Sequence, residues 1–365
     1  MSQPKGDNSP NINIKLTFLA LLPITIALGF YNLFSHNNMW IWAGLMLVVV
    51  TTGYGFIWKN KAPVAKGRRV IEFVARTLIL LCAAITIFVT AAIAFALVAE
   101  SVNFFKFVSP ADFFFGLKWQ PGVAHGQTGS FGIIPLLTGT LLITAIAMLV
   151  AVPLGLLSAI YLSSYARPVA RDIIKPLLEI LAGVPTVVYG FFAIIAIAPL
   201  IQAIGELFGV SIVAESALGV GIVMGIMIIP YISSLSDDIL RSVPQHMQEG
   251  SLAIGATYSE GIKRVIVPAA MPGILAAILL AFSRAIGETM IVVMAAGYSA
   301  NLTANPLDAV TTITVQIVSL LTGDQEFSSP KTFAAYALGL SLFVMTLILN
   351  VIAMRIVKHY RKKYA

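Results

Sequence analysis

Long apolar runs separated by short polar stretches set the pattern of this chain. In order, they lie at about Leu16–Phe34, Met39–Trp58, Phe73–Ala99, Ile133–Leu162, Leu177–Ile204, Ala217–Leu235, Ile274–Tyr298 and Phe333–Val357. Each reaches the roughly 18 apolar residues that cross hydrocarbon as a helix. None shows the alternation over about ten residues that marks a barrel strand. The pattern predicts an all-α polytopic membrane protein of about eight transmembrane helices. Trp40, Trp42 and Trp58 flank the second run, where interfacial anchors belong. One more apolar run, Ala309–Leu321, has 13 residues and is too short to cross, so a re-entrant or surface helix is expected there.

Composition agrees with the pattern. The chain is 58% hydrophobic and 11% charged, against about 25% charged in soluble domains. A net charge of +7 in a soluble protein would suggest nucleic acid. Here the basic residues crowd into short loops instead, so no nucleic-acid partner is expected. Eight spans put both termini on one side. Eighteen of the 23 Lys and Arg fall on that side, three on the other, and Arg76 and Arg284 lie within spans. This bias predicts a multi-pass protein of the bacterial cell (inner) membrane with both termini inside. The single cysteine, Cys82, excludes an internal disulfide, and the four scattered histidines offer no metal site. Residues 1–15 are polar and do not read as a signal peptide. The expected organisation is a mobile tail at 1–14, a transmembrane hairpin with a basic loop at 15–69, a third span and external loop at 70–130, a membrane domain at 131–357, and a basic tail at 358–365.

Two stretches carry candidate chemistry. The first is the polar loop 241–273, on the basic side. Gly255 accepts positive φ and is expected to end a short helix begun near Glu249, while Pro268 is expected to end a second one. The product is a helix-turn-helix elbow with Leu252, Ile254 and Tyr258 available to a partner's groove. The plain alternative is an ordinary amphipathic interfacial loop. The second stretch is the seventh run. Arg284 is expected ten residues in, near the bilayer midplane, with Glu288 one turn on and able to pair with it. A buried charge of this kind usually faces a wet cavity or the bundle interior. Arg284, Glu288, Ser283 and Thr289 are therefore candidates for an anion pathway, against a purely structural ion pair. Pro185, Tyr189 and Gly190 mark a possible helix break or a simple kink. Asp237, Asp238 and Arg241 are expected to form a solvated or lipid-facing cluster. Gly221 and Gly225 are expected to let two helices approach closely.

The loop also resembles a known pattern. Glu249-Gly250-Ser251, then Gly255, then Val265-Ile266-Val267-Pro268 resembles the "EAA" loop of bacterial ABC importer permeases, with Gly-Ser in place of Ala-Ala and valines at the aliphatic positions. VPTVVYG at 184–190, MIIPYISS at 227–234 and SRAIGETM at 283–290 narrow the resemblance to phosphate-specific importer permeases of the PstC type. It covers about 131–357. It implies a type I permease core of six-helix type, preceded here by an extra N-terminal hairpin. The loop would then be a coupling helix docking into a separate ATPase, with Glu249, Gly255, Leu252, Tyr258 and Pro268 shaping the contact. The implied partners are a homologous second permease (PstA type), two ATPase subunits (PstB type), a soluble phosphate-binding protein (PstS type) and membrane lipid. No cofactor is expected on this chain itself, and ATP would be bound by the partner subunit.

Absent motifs agree with a non-enzymatic permease subunit. There is no G-x-x-x-x-G-K-[ST] and no H-E-x-x-H. The expected function is one half of an ATP-driven translocation pathway for inorganic phosphate. Molybdate or sulfate as the ion, and an ATP-independent ion-coupled carrier, remain open alternatives.

Overall fold

The computed structural model describes residues 66–121, 129–322 and 329–364, with side chains from 75 to 358 within those ranges. The runs Leu16–Phe34 and Met39–Trp58 lie outside the described residues. The chain divides into two units after Ala99. The described part of the first unit is helical throughout, as part of α1 (Lys66–Phe104).

Six helices among the described residues are long and apolar enough to cross a membrane: Ala75–Phe104, Ile134–Tyr165, Thr186–Leu207, Ala217–Arg241, Tyr258–Ile286 and Pro330–Lys358. They correspond to the third through eighth apolar runs. Helices are the expected outcome, because a helix satisfies every backbone polar group within one segment, away from water.

The second unit continues with α2 (Pro110–Phe115) and a two-residue antiparallel pairing of β1 (Trp119–Gln120) with β2 (Ser130–Phe131). Helix α3 (Ile134–Ile160) ends in a wide π-turn, Tyr161–Tyr165. Next come α4 (Pro168–Ala182), α5 (Thr186–Phe192), a π-turn at Ala193–Ile197 and α6 (Ala198–Leu207). Helix α7 (Ala217–Arg241) leads into α8 (Gln245–Ala253) and α9 (Tyr258–Gly261). A third π-turn, Ile262–Ile266, passes into α10 (Val267–Ile286). Helices α11 (Met290–Ala295), α12 (Ile313–Leu321) and α13 (Pro330–Tyr364) complete the chain.

Two π-turns lie just before a proline inside a continuing helix, Pro199 and Pro268, whereas Pro168 opens α4 after extended Ala166 and Arg167. Proline lacks the N–H of a normal helical bond and crowds the carbonyl four residues back. A turn bonded five residues apart, such as Val267 N–H to the Ile262 carbonyl, absorbs that misfit. This corrects the expectation that Pro268 ends a helix, because the segment from Tyr258 runs on through it to Ile286.

Two other boundaries move. The fifth run was expected to start at Leu177, but α4 is separate and the crossing helix starts at Thr186, because the chain breaks at Gly183–Pro185. The seventh was expected to continue to Tyr298, but α10 stops at Ile286 and the chain leaves helical geometry around Gly287 and Glu288.

The core forms where α3 and α7 pack. Ile143, Ala147 and Ala151 face Val220, Met224 and Ile228, all essentially buried. Gly221 and Gly225 set the closeness. A Cβ at Gly221 would lie 2.6 Å from Ile146 Cγ2, and one at Gly225 would lie 2.8 Å from Val150 Cβ. Small residues at this spacing let backbones meet where lipid offers no hydrophobic drive. At the end of the bundle away from the elbow, Phe104, Phe113, Trp119 and Phe131 form an aromatic cluster. Trp119 Nε1 donates to Gln316 Oε1 at 2.9 Å, which ties α12 to it.

Candidate functional site

The elbow forms as a capped turn between two helices. Helix α8 ends in a Schellman motif: Ala256 N–H reaches the Ser251 carbonyl at 3.1 Å, and Gly255 N–H reaches that of Leu252 at 3.0 Å. Gly255 has φ +91, and a Cβ there would meet no atom within 4 Å, so the requirement is backbone conformation rather than space. Two residues on, Thr257 and Glu260 form a capping box that starts α9. Buried Ser251 packs on Gly261, where an added Cβ would lie 2.7 Å from Ser251 Oγ. Glycine at 261 thus leaves room for the Ser251 side chain.

Glu249, Leu252 and Ile254 are exposed, Ile254 at 87%. Tyr258 is exposed as well but also makes internal contacts. Its hydroxyl donates to the Ser164 carbonyl at 2.7 Å, and its ring meets Tyr165 edge-on at 5.8 Å. Its 43% exposure leaves part of the ring open alongside this internal tie between the elbow and the π-turn that closes α3.

Arg284 sits in the last turn of α10, not halfway along a continuous helix. It makes no ion pair among the described residues. The expected Arg284–Glu288 pair fails because Gly287 ends the helix, so Glu288 no longer lies one turn above Arg284. Glu288 instead begins the next segment: its Oε1 accepts Ile291 N–H at 3.4 Å, and its carbonyl accepts the Thr314 hydroxyl at 3.0 Å. Thr289 Oγ1 bonds the Gly287 carbonyl at 3.2 Å, and Ser283 is half-buried beside Arg284. The exposed Arg284 guanidinium lies 5.7 Å from the centroid of the Tyr231 ring on α7, within cation–π range. Tyr231 was not singled out in the sequence. Its signal is an aromatic residue directly after Pro230 in MIIPYISS.

Of the candidate break residues, only Pro185 marks the break, as the residue before α5. Tyr189 lies inside α5 and donates back across the break to the Leu181 carbonyl at 2.8 Å. Gly190 also lies inside α5. It lets α11 approach, since an added Cβ would be 3.0 Å from Met294 Cβ and 3.3 Å from Ile291 Cα. The two interrupted regions, at Gly183–Pro185 and Gly287–Thr289, are therefore joined by the packing of α5 on α11.

Asp237 is the largest correction. Instead of being solvated, it is 1% exposed and is bound by three cations. Arg171 reaches Oδ2 at 2.9 Å, Lys175 reaches the same oxygen at 3.2 Å, and Arg241 reaches Oδ1 at 3.3 Å. Lys175 also meets exposed Asp238 at 2.7 Å. That bond holds the Lys175 ammonium above its ordinary 10.5, against the opposing effect of burial.

The described residues thus form a bundle of membrane-crossing helices interrupted at two places, with an exposed capped elbow between α7 and α10. The chain belongs to the family described as the binding-protein-dependent transport system inner membrane component, which matches residues 151–365. It is 33% identical over 283 residues to the probable ABC transporter permease protein YqgH of Bacillus subtilis, covering 77% of this chain and 89% of that one. It is 33% identical to the phosphate transport system permease protein PstC of Mesorhizobium japonicum, over 65% of this chain and 75% of that one. It is 32% identical to phosphate transport system permease protein PstC 1 of Mycobacterium tuberculosis, over 67% and 81%.

Proposed function

We propose that this chain is a translocation subunit of an ATP-driven importer for inorganic phosphate. The observation that carries this is mechanical continuity: the exposed surface of Glu249, Leu252 and Ile254 leads through a capped turn and a π-turn into the helix bearing Arg284. Force applied at the elbow is thereby delivered to a membrane cation. Among the described residues Arg284 has no carboxylate partner and is open to an anion, and relatives named as phosphate transport permeases support phosphate as that anion. ATP is bound and hydrolysed by a separate ATPase present in two copies, one of which docks on the elbow of this chain. A homologous permease completes the pathway, and a soluble phosphate-binding protein delivers substrate from outside. The charge bias supports an orientation with the elbow and both termini inside. Because a partner shifts a two-state equilibrium only by binding the states differently, the elbow is where ATP binding biases access past Arg284.

The test is uptake of labelled phosphate into vesicles holding the full complex, with and without ATP. The proposal expects ATP-dependent uptake, abolished by Arg284→Ala and by Glu249→Ala at normal membrane levels. Carriage of sulfate rather than phosphate would overturn the substrate, and uptake indifferent to ATP would overturn the coupling.

A further inference from the structure

Helix α4 has no buried residue, yet polar contacts hold its middle and its end, and a third holds the π-turn ahead of it. Just ahead of its start, the Ser164 carbonyl accepts the Tyr258 hydroxyl from the elbow. In its middle, Arg171 and Lys175, one turn apart, both reach Asp237 on α7. At its end, the Leu181 carbonyl accepts the Tyr189 hydroxyl from α5, across the break. Its apolar residues point away from these ties: Val169, Ile173, Leu177 and Ile180 are between 54% and 73% exposed. The helix is 15 residues long, about 22 Å at 1.5 Å per residue. Pro176 removes one hydrogen bond inside the helix, so its displacement is fixed by the bonds at Asp237 and Leu181 and by the short extended link, Ala166–Arg167, to the Ser164 tie.

We propose that α4 is a connecting strut that carries motion of the elbow to α5 and α11, with Asp237 as its pivot on α7. This rests on the reading of the chain as an ATP-driven importer subunit and adds a second drive route to it. The first route runs from the elbow through the Ile262–Ile266 π-turn into α10 and arrives at Glu288 from one side. The second runs through Tyr258, α4 and Tyr189 into α5, and reaches α11 through the contact of Gly190 with Met294 and Ile291. The two routes meet at α11, so both interrupted helices move together. Asp237 is a positioning residue in this scheme, since it touches neither ATP nor the transported ion.

Tyr258→Phe and Tyr189→Phe each delete one tie and keep the ring, while Asp237→Asn removes the charge of the pivot. The full complex is reconstituted in vesicles, and phosphate moved per ATP hydrolysed is measured for each variant. That ratio is insensitive to how much complex assembles. The strut predicts a fall of at least threefold in each tyrosine variant and a larger fall in Asp237→Asn. An unchanged ratio in both tyrosine variants overturns it, and these two variants decide the matter should Asp237→Asn fail to assemble. If the wild type moves no phosphate, the substrate reading fails separately, and the strut is judged by nitroxide labels at Ile173→Cys and Leu207→Cys in a Cys82→Ser background. ATP with vanadate must shift their distance, and Tyr258→Phe must at least halve the shift. No shift, or an equal shift, overturns the strut.

Discussion

Asparagine at position 237 would keep the size of the aspartate and remove its charge, leaving Arg171, Lys175 and Arg241 gathered around a neutral amide. Breaking a buried ion pair by removing one partner typically costs about 3–5 kcal/mol. Two features place this case near the lower end. The three cations keep 21%, 25% and 42% of their side-chain surface exposed, so they rehydrate once released. Lys175 also retains Asp238 at 2.7 Å, although that carboxylate is 62% exposed and such a pair contributes little. The expected loss for Asp237→Asn is therefore about 3 kcal/mol. Arg171→Met should cost less, because Arg171 Nε is already buried without a hydrogen-bond partner and the substitution removes that burden. The double variant should fall short of additivity by about 1–2 kcal/mol, as expected for residues in direct contact. Equilibrium unfolding of the purified chain in mixed micelles, followed by tryptophan fluorescence, measures all three. A loss below about 0.5 kcal/mol for Asp237→Asn, the range of an ordinary surface change, would refute the reasoning, as would strict additivity.

Further outcomes follow from other contacts. Gly255→Ala should cost about 1–2 kcal/mol from backbone conformation alone, and Gly255→Asn should be tolerated better, both measured as elbow-dependent ATPase binding and as stability. Gly225→Ala should cost about 1–3 kcal/mol through overpacking against Val150 and the Ala147 carbonyl, without changing transport per ATP. Tyr231→Leu should raise the KM for phosphate about two- to fivefold by freeing Arg284, in line with a cation–π contact of about 0.5–1 kcal/mol, while Tyr231→Phe should leave it unchanged. Lys175 has a raised folded pKa, so its stabilisation is complete below the ordinary value and is lost as pH climbs through the raised one. The stability difference between wild type and Lys175→Met should accordingly be constant from neutral pH to 10.5 and shrink above it.

The membrane helices were legible because hydropathy over about 20 residues is a local property, and the third through eighth runs match the six crossing helices. Gly255 was legible for the same reason, since a left-handed turn after a short helix asks for glycine in the sequence itself. The interruptions were harder to read. Pro268 signalled a stop by local rules, yet the π-turn Ile262–Ile266 absorbed it. Gly287 signalled nothing inside an apolar run, yet it ends α10 and so separates Arg284 from Glu288. Asp237 was least legible. Two adjacent aspartates near an arginine read as a solvated helix end, but two of the partners that bury Asp237 are 62 and 66 residues away in sequence. Periodicity carries no record of such a partner. Tyr231 was missed likewise, because its contact with Arg284 depends on how α7 and α10 pack.

The most direct test of the central claim is ATP-dependent uptake of labelled phosphate by the reconstituted complex, comparing the wild-type chain with Arg284→Ala and Glu249→Ala, and sulfate as the competing ion. The account predicts phosphate uptake only when ATP is present, no inhibition by sulfate, and loss of uptake in both variants while each still inserts and assembles. Uptake that persists without ATP, or in Arg284→Ala, would contradict it.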